Sequence, residues 1–468
     1  MINGYRPKPL DKIKAFGEAF KDSKSRKKIV VDPGKNTVKV LVLSENNEIL
    51  YFYSFPSKLD NPMFLPADQP KEGQFFITIP NKIKTPSGRL KDAYYILGEQ
   101  VNPGDGKVEF KADKNTFHHR LCVLAAVHLF VEDNEDVDLV VGYPSENYKN
   151  ENLKNDYVNS ILMGDEISNL EKSELIPPGT ITLNVNGKVK TFHIKNVTPY
   201  QEGLGQLTIH HTRYMSLANE AQKKGKKTKE SQSKFLDSDI TTIFIDLGGY
   251  NANLHMRKGE VYSGHESVDK IGVNILEKKY LIPFFRRAIK NPAILEKIKD
   301  IDWHQVIGSG KIFGQTELDG LKVEELLEDA IMSFIERELI PEINQVYDKD
   351  IVEDEQIALV FLGGGSARIK PFLEYAFKDK LEKGLVSFSP APLWDNVVTY
   401  AFLYYGGLAQ KLHSVATEND GVQLEEAKKH FNLIRSSLVV NGGKQEFISQ
   451  HAFKSQVKEN FDFLSSIK

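Results

Sequence analysis

The sequence predicts an α/β protein built as two related halves, and three stretches predict it. Thr241-Thr242-Ile243-Phe244-Ile245-Asp246-Leu247-Gly248-Gly249 is an apolar, β-branched run ending in an acid and two glycines. That is the pattern of a buried strand entering a sharp turn. Ile29-Val30-Val31-Asp32-Pro33-Gly34 repeats the form near the start and turns through Gly34 into a second apolar run, Val38–Leu43. Ile357–Leu362 is a third buried run, entering Gly363-Gly364-Gly365, with Ser366 placed to cap a following helix. Two acid-tipped glycine turns and a triple glycine, in that order, suggest two halves clamping one phosphate-rich ligand. A glycine turn after a strand offers backbone N–H groups to an anion with no side chain in the way.

The elements follow in order. Strands are expected at Ile29–Val31, Val38–Leu43 and Ile49–Phe55, the last two joined by the polar turn Glu45-Asn46-Asn47-Glu48. Asn61 to Lys91 is rich in Pro, Gly and Lys and reads as an insertion of loops and short strands, Gln74–Ile79 among them, before a strand at Tyr94–Leu97. Asn115 is expected to cap a helix to about Val131. Val137–Val141 is a buried strand, and Asn150 to Met163 a helix with Leu153, Tyr157 and Ile161 on one face. Asn186-Gly187 between Ile181–Val185 and Thr191–Val197 is a strong hairpin signal. A helix from about Gly205 to Ala221 and a Lys-rich linker lead into the second half.

There, strands at Thr242–Ile245, Ala252–Arg257 and Glu260–Ser263 precede a helix Ser267 to Tyr280 that carries Gly272, mixed helix from Leu281 to Gln305, and an irregular stretch to Glu317. Val323 to Glu338 reads as an amphipathic helix with Leu326, Leu327, Ala330, Ile331 and Phe334 toward the core. A helix Ile369–Phe377, another from Asp395 to Ala409 and helical sequence from Val422 to Lys468 complete the chain. The expected organisation is a basic extension 1–27, a first domain 28–225 with an insertion at about 56–115, a linker 226–239, a second domain 240–394, and C-terminal helices 395–468 returning to the first domain.

At 468 residues the chain is too long for one ordinary core. Apolar residues are 40%, charged residues 27%, and the formal net charge is −3, so nothing in the balance demands nucleic acid or a membrane. The one cysteine, Cys122, rules out an internal disulfide, fits a reducing cytosol, and reads as a buried, inert thiol. No segment approaches the roughly 20 apolar residues of a membrane span, and no apolar signal-peptide core opens the chain. Residues 1–28 hold nine Lys/Arg against three acids, with Leu10, Ile13, Phe16 and Phe20 on one face. They form either a contact for an anionic partner or membrane surface, or a basic tail lying on its own domain; the second is the reading adopted.

These motifs resemble the actin-like ATPase superfamily and, within it, the bacterial plasmid-segregation actins of the ParM-like family. Asp32-Pro33-Gly34-Lys35-Asn36-Thr37-Val38-Lys39 is similar to the first phosphate loop, Asp246-Leu247-Gly248-Gly249 to the second, and Gly363-Gly364-Gly365-Ser366 to the adenosine loop. Val140–Pro144 and Val197–Gly203 resemble the family's strand-and-turn and its connecting segment. The likeness spans roughly residues 28 to 410. It implies the actin-like ATPase fold, two α/β domains with a nucleotide cleft between them, binding ATP (or GTP) with Mg2+. The two loops imply phosphate contacts from Gly34, Lys35, Asn36, Lys39, Gly248 and Gly249, with Gly272, Gly363, Gly364, Gly365 and Ser366 on the rest of the nucleotide. Asp32 and Asp246 would hold Mg2+ through its waters, Asp246 also belonging to the catalytic set. Glu202, or its neighbour Gln201, is expected to orient the attacking water, the register being open by one residue.

The sequence departs from the family in having Lys35 where a Ser or Thr usually follows the first glycine. It also has Tyr250, Asn251 and Asn253 where hydroxyls and an acid are usual. Altered phosphate contacts are expected, which leaves nucleotide preference and hydrolysis rate open. Other motifs are decoys. Gly308-Ser309-Gly310-Lys311 lacks the Ser/Thr and first glycine of a P-loop. His118-His119 and His210-His211 are neighbours that do not share a helix face, and one cysteine makes zinc improbable.

The resemblance therefore implies a nucleotide-dependent, filament-forming ATPase of the cytoplasm, whose partners are further copies of itself and a DNA-binding adaptor in plasmid partition, without direct nucleic-acid contact. The alternative on the same fold is a small-molecule (sugar-type) kinase, which needs a substrate-binding Asp base that no stretch supplies. A chaperone-like ATPase needs an appended peptide-binding domain that the sequence does not show.

Overall fold

The computed structural model describes residues 26–34, 36–45, 49–71, 73–84, 86–98, 107–108, 116–163, 178–203, 239–249, 251–258, 261–268, 271–298, 301–348, 350–389 and 392–404. These fall into two compact units, one within residues 1–205 and 396–468, the other within 206–395. The expected helix at 205–221, the Lys-rich stretch after it, the basic residues before Arg26 and the helical sequence from Val422 lie outside the described residues.

In the first unit β1 (Lys27–Pro33), β2 (Thr37–Leu43) and β3 (Ile49–Pro56) form an antiparallel meander. The insertion supplies β4 (Leu59–Asp60), β5 (Gln74–Lys84), β6 (Leu90–Gly98) and β7 (Lys107–Val108), longer strands than its composition suggests. Helix α1 (Phe117–Phe130), β8 (Glu135–Tyr143), α2 (Ser145–Tyr148), α3 (Glu151–Met163), β9 (Thr180–Val185) and β10 (Lys188–Gln201) follow. All ten strands make one sheet in the order β3-β2-β1-β8-β10-β9-β5-β6-β4-β7, in which β1, β8 and β10 run parallel side by side.

Local sequence explains these elements. Leu121 to Val127 of α1 is an unbroken, fully buried apolar run, and a helix apolar all round belongs inside a core. Its cap is Thr116, whose side chain accepts from the His119 N–H, rather than Asn115. Burial pushes the Cys122 thiol well up. Asn150 caps α3 through the N–H groups of Asn152 and Leu153. Tyr157 and Ile161 are buried but Leu153 is 41% exposed. A four-residue series drifts about 40° per step around a helix of 3.6 residues per turn, so Leu153 stands about 80° from Ile161, at the margin of the buried face. The β9–β10 turn has Asn186 at φ 53° and Gly187 at φ 78°, the primed turn that Asn-Gly favours.

The second unit opens with β11 (Thr241–Leu247), β12 (Ala252–Lys258) and β13 (Val261–Val268). Helix α4 is composite: Val273–Ile275, a π-helical stretch Leu276–Leu281, then Ile282–Ala288. Helices α5 (Pro292–Lys297) and α6 (Trp303–Ser309) and a small hairpin of β14 (Glu317–Leu318) and β15 (Leu321–Lys322) follow. Helix α7 is again composite: Val323–Phe334, a π-helical stretch Ile335–Leu339, and Ile340–Tyr347. Then come β16 (Ile357–Leu362), α8 (Gly363–Arg368), α9 (Lys370–Ala376), α10 (Lys378–Glu382) and β17 (Val386–Phe388). The sheet order is β13-β12-β11-β16-β17, with β11, β16 and β17 parallel neighbours. This is the same arrangement as β3-β2-β1-β8-β10, so the two halves share one topology.

Three sequence expectations are corrected here. Ser267 and Val268 end β13, and the helix begins only after Gly272. The expected break at Leu281 and stop at Glu338 do not occur. Pro283 and Pro341 each lack an N–H and crowd the carbonyl four residues earlier. Just before each, the helix widens to five-residue spacing: the Ile282 N–H bonds the Glu277 carbonyl, and the Ile340 N–H bonds that of Ile335. The Tyr280 hydroxyl and Lys279 ammonium both donate to Glu338, at 3.0 and 3.1 Å, tying one π stretch to the other. Gly308 and Ser309 close α6, so the P-loop-like run is a helix end. No helix among the described residues is long and apolar enough to cross a membrane.

Candidate functional site

In open parallel sheets ligands gather at the carboxyl ends of the strands, and each unit carries its acid-tipped glycine turn there. In the first unit β1 delivers Asp32, 2% exposed, into the turn at Gly34. The Gly34 N–H donates to the carbonyls of Asp32 and Thr37, at 3.0 and 3.1 Å. A Cβ at Gly34 would sit 2.9 Å from the Thr37 carbonyl and 3.0 Å from Lys39 Nζ, so only glycine fits this turn. The hairpin register sets Lys39 directly across from Asp32. Lys39 Nζ lies 2.9 Å from Asp32 Oδ2. The same oxygen accepts from Asn396 Nδ2 at 3.3 Å. Lys35 lies outside the described residues.

The turn is braced from behind. The Asn36 carbonyl accepts from the Ser57 N–H at 3.2 Å, and the Ser57 carbonyl accepts from His118 Nε2 at 2.7 Å. Burial lowers the His118 pKa to about 4, against its bond to Ser57. The ring is therefore neutral near pH 7 with its proton on Nε2. The adjacent His119 points elsewhere, to the Tyr157 hydroxyl at 3.0 Å. Burial, with smaller contributions from Tyr143 and Asp32, holds the Tyr157 phenol well above its usual range.

Parallel to β1, β8 ends in Gly142-Tyr143 and β10 in Tyr200-Gln201, with Gln201 paired to Tyr143. The Glu202 N–H donates to the Tyr143 carbonyl at 3.0 Å. Asp32, Gln201 and Glu202 thus share one edge, with Gln201 and Glu202 two strand spacings, about 10 Å, from β1. Residues 395–404 form a further helix, α11. Its Tyr400 ring stacks on Tyr200 at 6.4 Å, and a Cβ at Gly142 would meet the Tyr400 hydroxyl at 2.8 Å.

In the second unit β11 delivers Asp246, 6% exposed, to the Gly248-Gly249 turn. The Gly248 N–H donates to the Asn251 carbonyl at 2.9 Å. The carbonyls of Gly248 and Gly249 accept from the N–H groups of Val273 and Asn274, at 3.1 and 2.9 Å, so the start of α4, with Gly272 as its N-cap, docks on the turn. Directly across from Asp246 stand Asn253 on β12 and Leu362 on β16.

Past Leu362 the helix starts within the three glycines. Gly363 begins α8 and Leu362 is its N-cap, so Ser366 is not a cap but an interior residue. Gly363 has φ 79°, and a Cβ there would run into the Asp246 carboxylate. One at Gly365 would lie 2.6 Å from the Leu247 carbonyl and 2.7 Å from Val273 Cγ2, whereas at Gly364 it would make an ordinary 4.0 Å contact with Leu393. The Ser366 hydroxyl is buried with no hydrogen-bond partner among the described residues.

Taken by itself, each unit offers groups of the kind that hold a phosphate or a hydrated cation. Gly34 offers a turn that a Cβ would fill, beside an ammonium; Ser366 offers a buried hydroxyl with no partner among the described residues; and Asp246 offers a buried carboxylate. Asp32 faces the Lys39 ammonium across its hairpin, and Asn253 stands in the same register position across from Asp246. Among the described residues no three His, Cys, Asp or Glu side chains form a metal-holding group. The donor set suits Mg2+, which keeps most of its waters. The sequence did not single out Asn396, Tyr400, or the Ser57–His118 brace.

Residues 31–205 match the family model described as the actin-like proteins N-terminal domain. No curated protein matches the chain. Among solved structures, a non-polymerisable quadruple mutant of pCBH ParM is similar over 82% of this chain and 99% of its own, at 14% identity and a TM-score of 0.53. ParM in a 15-stranded filament from Clostridium botulinum is similar over 81% and 98%, at 13% identity and a TM-score of 0.53. An archaeal actin homologue in complex with ADP is similar over 80% and 97%, at 13% identity and a TM-score of 0.50. At these identities the likeness shows the fold, which is the actin-like ATPase fold.

Proposed function

We propose that this protein, whose residues 31–205 match the model of the actin-like N-terminal domain, is a nucleotide-dependent filament-forming ATPase. The observation that carries the reading is an edge built twice: two sheets of the same order, each ending its central strand in a buried acid and a glycine turn. Gly34 and Lys39 in one unit, and Gly248 and Gly249 in the other, would take the phosphates; Asn36 and Lys35 are proposed as further donors to them. Gly272, Gly363–Gly365 and Ser366 would take the nucleoside. A bound Mg2+ would neutralise phosphate charge, held through its waters by Asp32 and Asp246, with Asp32 also orienting Lys39. Glu202, or Gln201 beside it, would position water for attack on the terminal phosphate, the kind of positioning on which phosphoryl transfer depends.

Self-assembly is supported by the filament among the similar structures. A role in plasmid partition, acting through a DNA-binding adaptor, is the finer reading we infer from the ParM likeness. Light scattering of the purified chain with Mg-ATP and Mg-GTP tests it. A rise that decays in wild type but persists in Glu202→Ala is expected. No rise with either nucleotide into the tens of micromolar would sink the filament reading.

A further inference from the structure

Asn396 stands at a singular point of the chain. The polypeptide passes from the second unit into the first between Asp395 and Asn396, and both side chains are engaged. Asp395, 3% exposed, accepts from the Ser389 hydroxyl at 2.8 Å inside the second unit. Asn396 donates to Asp32 Oδ2 inside the first, on the oxygen that also takes the Lys39 ammonium. Four residues on, and so on the same helix face, Tyr400 lies over Gly142 and stacks on Tyr200, whose strand leads directly into Gln201 and Glu202. One face of α11 therefore lies across the carboxyl ends of all three parallel strands.

From this geometry we propose that Asn396 is a positioning residue for nucleotide binding: it fixes the Asp32 carboxylate so that the carboxylate holds Lys39 toward the phosphates. The inference rests on the nucleotide reading above. An amide suits the task because it donates to the carboxylate without adding charge, leaving the Lys39 ammonium as the cation presented to the ligand. The Ser389–Asp395 bond fixes the first turn of α11, from which Asn396 projects. Asn253, across from Asp246, is the counterpart in the other half of Lys39, not of Asn396.

The test uses the full chain. Affinity for a fluorescent ATP analogue with Mg2+ is read by anisotropy for wild type, Asn396→Ala and Asn396→Asp, and melting of the nucleotide-free protein is read for these and for Asp32→Asn alone and combined with Asn396→Ala. Asn396→Ala should weaken binding about tenfold, the usual scale for one hydrogen bond to a charged group. Asn396→Asp should weaken it further, since a second carboxylate then competes for Lys39. In the nucleotide-free melts, the shift caused by Asn396→Ala should largely vanish once Asp32 is Asn, because residues that act through one another are not additive. Wild-type affinity in Asn396→Ala, or a melting shift that is the same in both backgrounds, would overturn the inference while leaving the nucleotide reading intact. Absence of wild-type binding to both ATP and GTP analogues would overturn the two together.

Discussion

Replacing Lys39 with Met tests the physics of the first glycine turn without any ligand. The Lys39 side chain is 16% exposed and its partner Asp32 only 2%, at an N–O distance of 2.9 Å. Exposed ion pairs contribute about 0–1 kcal/mol, and removing one member of a fully buried pair costs about 3–5 kcal/mol because a charge is left buried. This pair lies between those limits, with Asn396 still donating to Asp32, so Lys39→Met should cost about 2–3 kcal/mol. For a unit of this size that is a fall of about 5–10 °C in melting temperature. Asp32→Asn added to Lys39→Met removes the stranded charge and should recover most of the loss. The assay is thermal and urea unfolding of the nucleotide-free chain, followed by two probes because two units need not unfold together. A single variant within about 0.5 kcal/mol of wild type, or a double variant as unstable as the single, would refute the reasoning.

Other consequences follow from the same structure. Burial lowers the pKa of His118 to about 4 and that of His128 to about 3, the latter helped by Lys190. Both folded values lie below the unfolded 6.5, so the unfolded chain takes up protons first. Their stabilising contribution is whole above about pH 6.5 and is lost as the pH falls toward 4. At up to about 1.4 kcal/mol per unit per group, pH 5 should cost about 4 kcal/mol relative to pH 7, and His118→Gln should roughly halve the slope in chemical denaturation. An unchanged slope in His118→Gln contradicts the assignment. Gly365→Ala should cost about 1–3 kcal/mol by forcing a methyl against the Leu247 carbonyl, while Gly364→Ala should be near neutral. Equal melting temperatures for the two variants would contradict that packing.

Much of this was legible in the sequence because the central strands announce themselves. Val31-Asp32 and Ile245-Asp246 are apolar runs stopped by an acid, and burial on both sheet faces leaves such a run little alternative to a central strand. The Asp32–Lys39 pair follows from the hairpin: once Gly34 sets the turn, residue 32 must face residue 39. Long-range contacts were harder. Asn396 lies 364 residues from Asp32, and nothing in the local pattern around Asp395-Asn396 indicates which strand the helix will cross. Ser366 misled because a Ser beside glycines is a common cap, whereas tight packing of Gly363 and Gly365 under Leu247 lets the helix begin four residues earlier. The helices run on through Pro283 and Pro341, and the widening that absorbs each proline carries no sequence mark of its own.

The measurement closest to the central claim is calorimetric titration of the chain with ATP and ADP, with and without Mg2+, for wild type and Asp246→Asn. The account predicts saturable binding by wild type that Mg2+ strengthens, and binding by Asp246→Asn that is weaker and nearly insensitive to Mg2+. Titrations with no heat of binding, or an Asp246→Asn variant that keeps the full response to Mg2+, would contradict it.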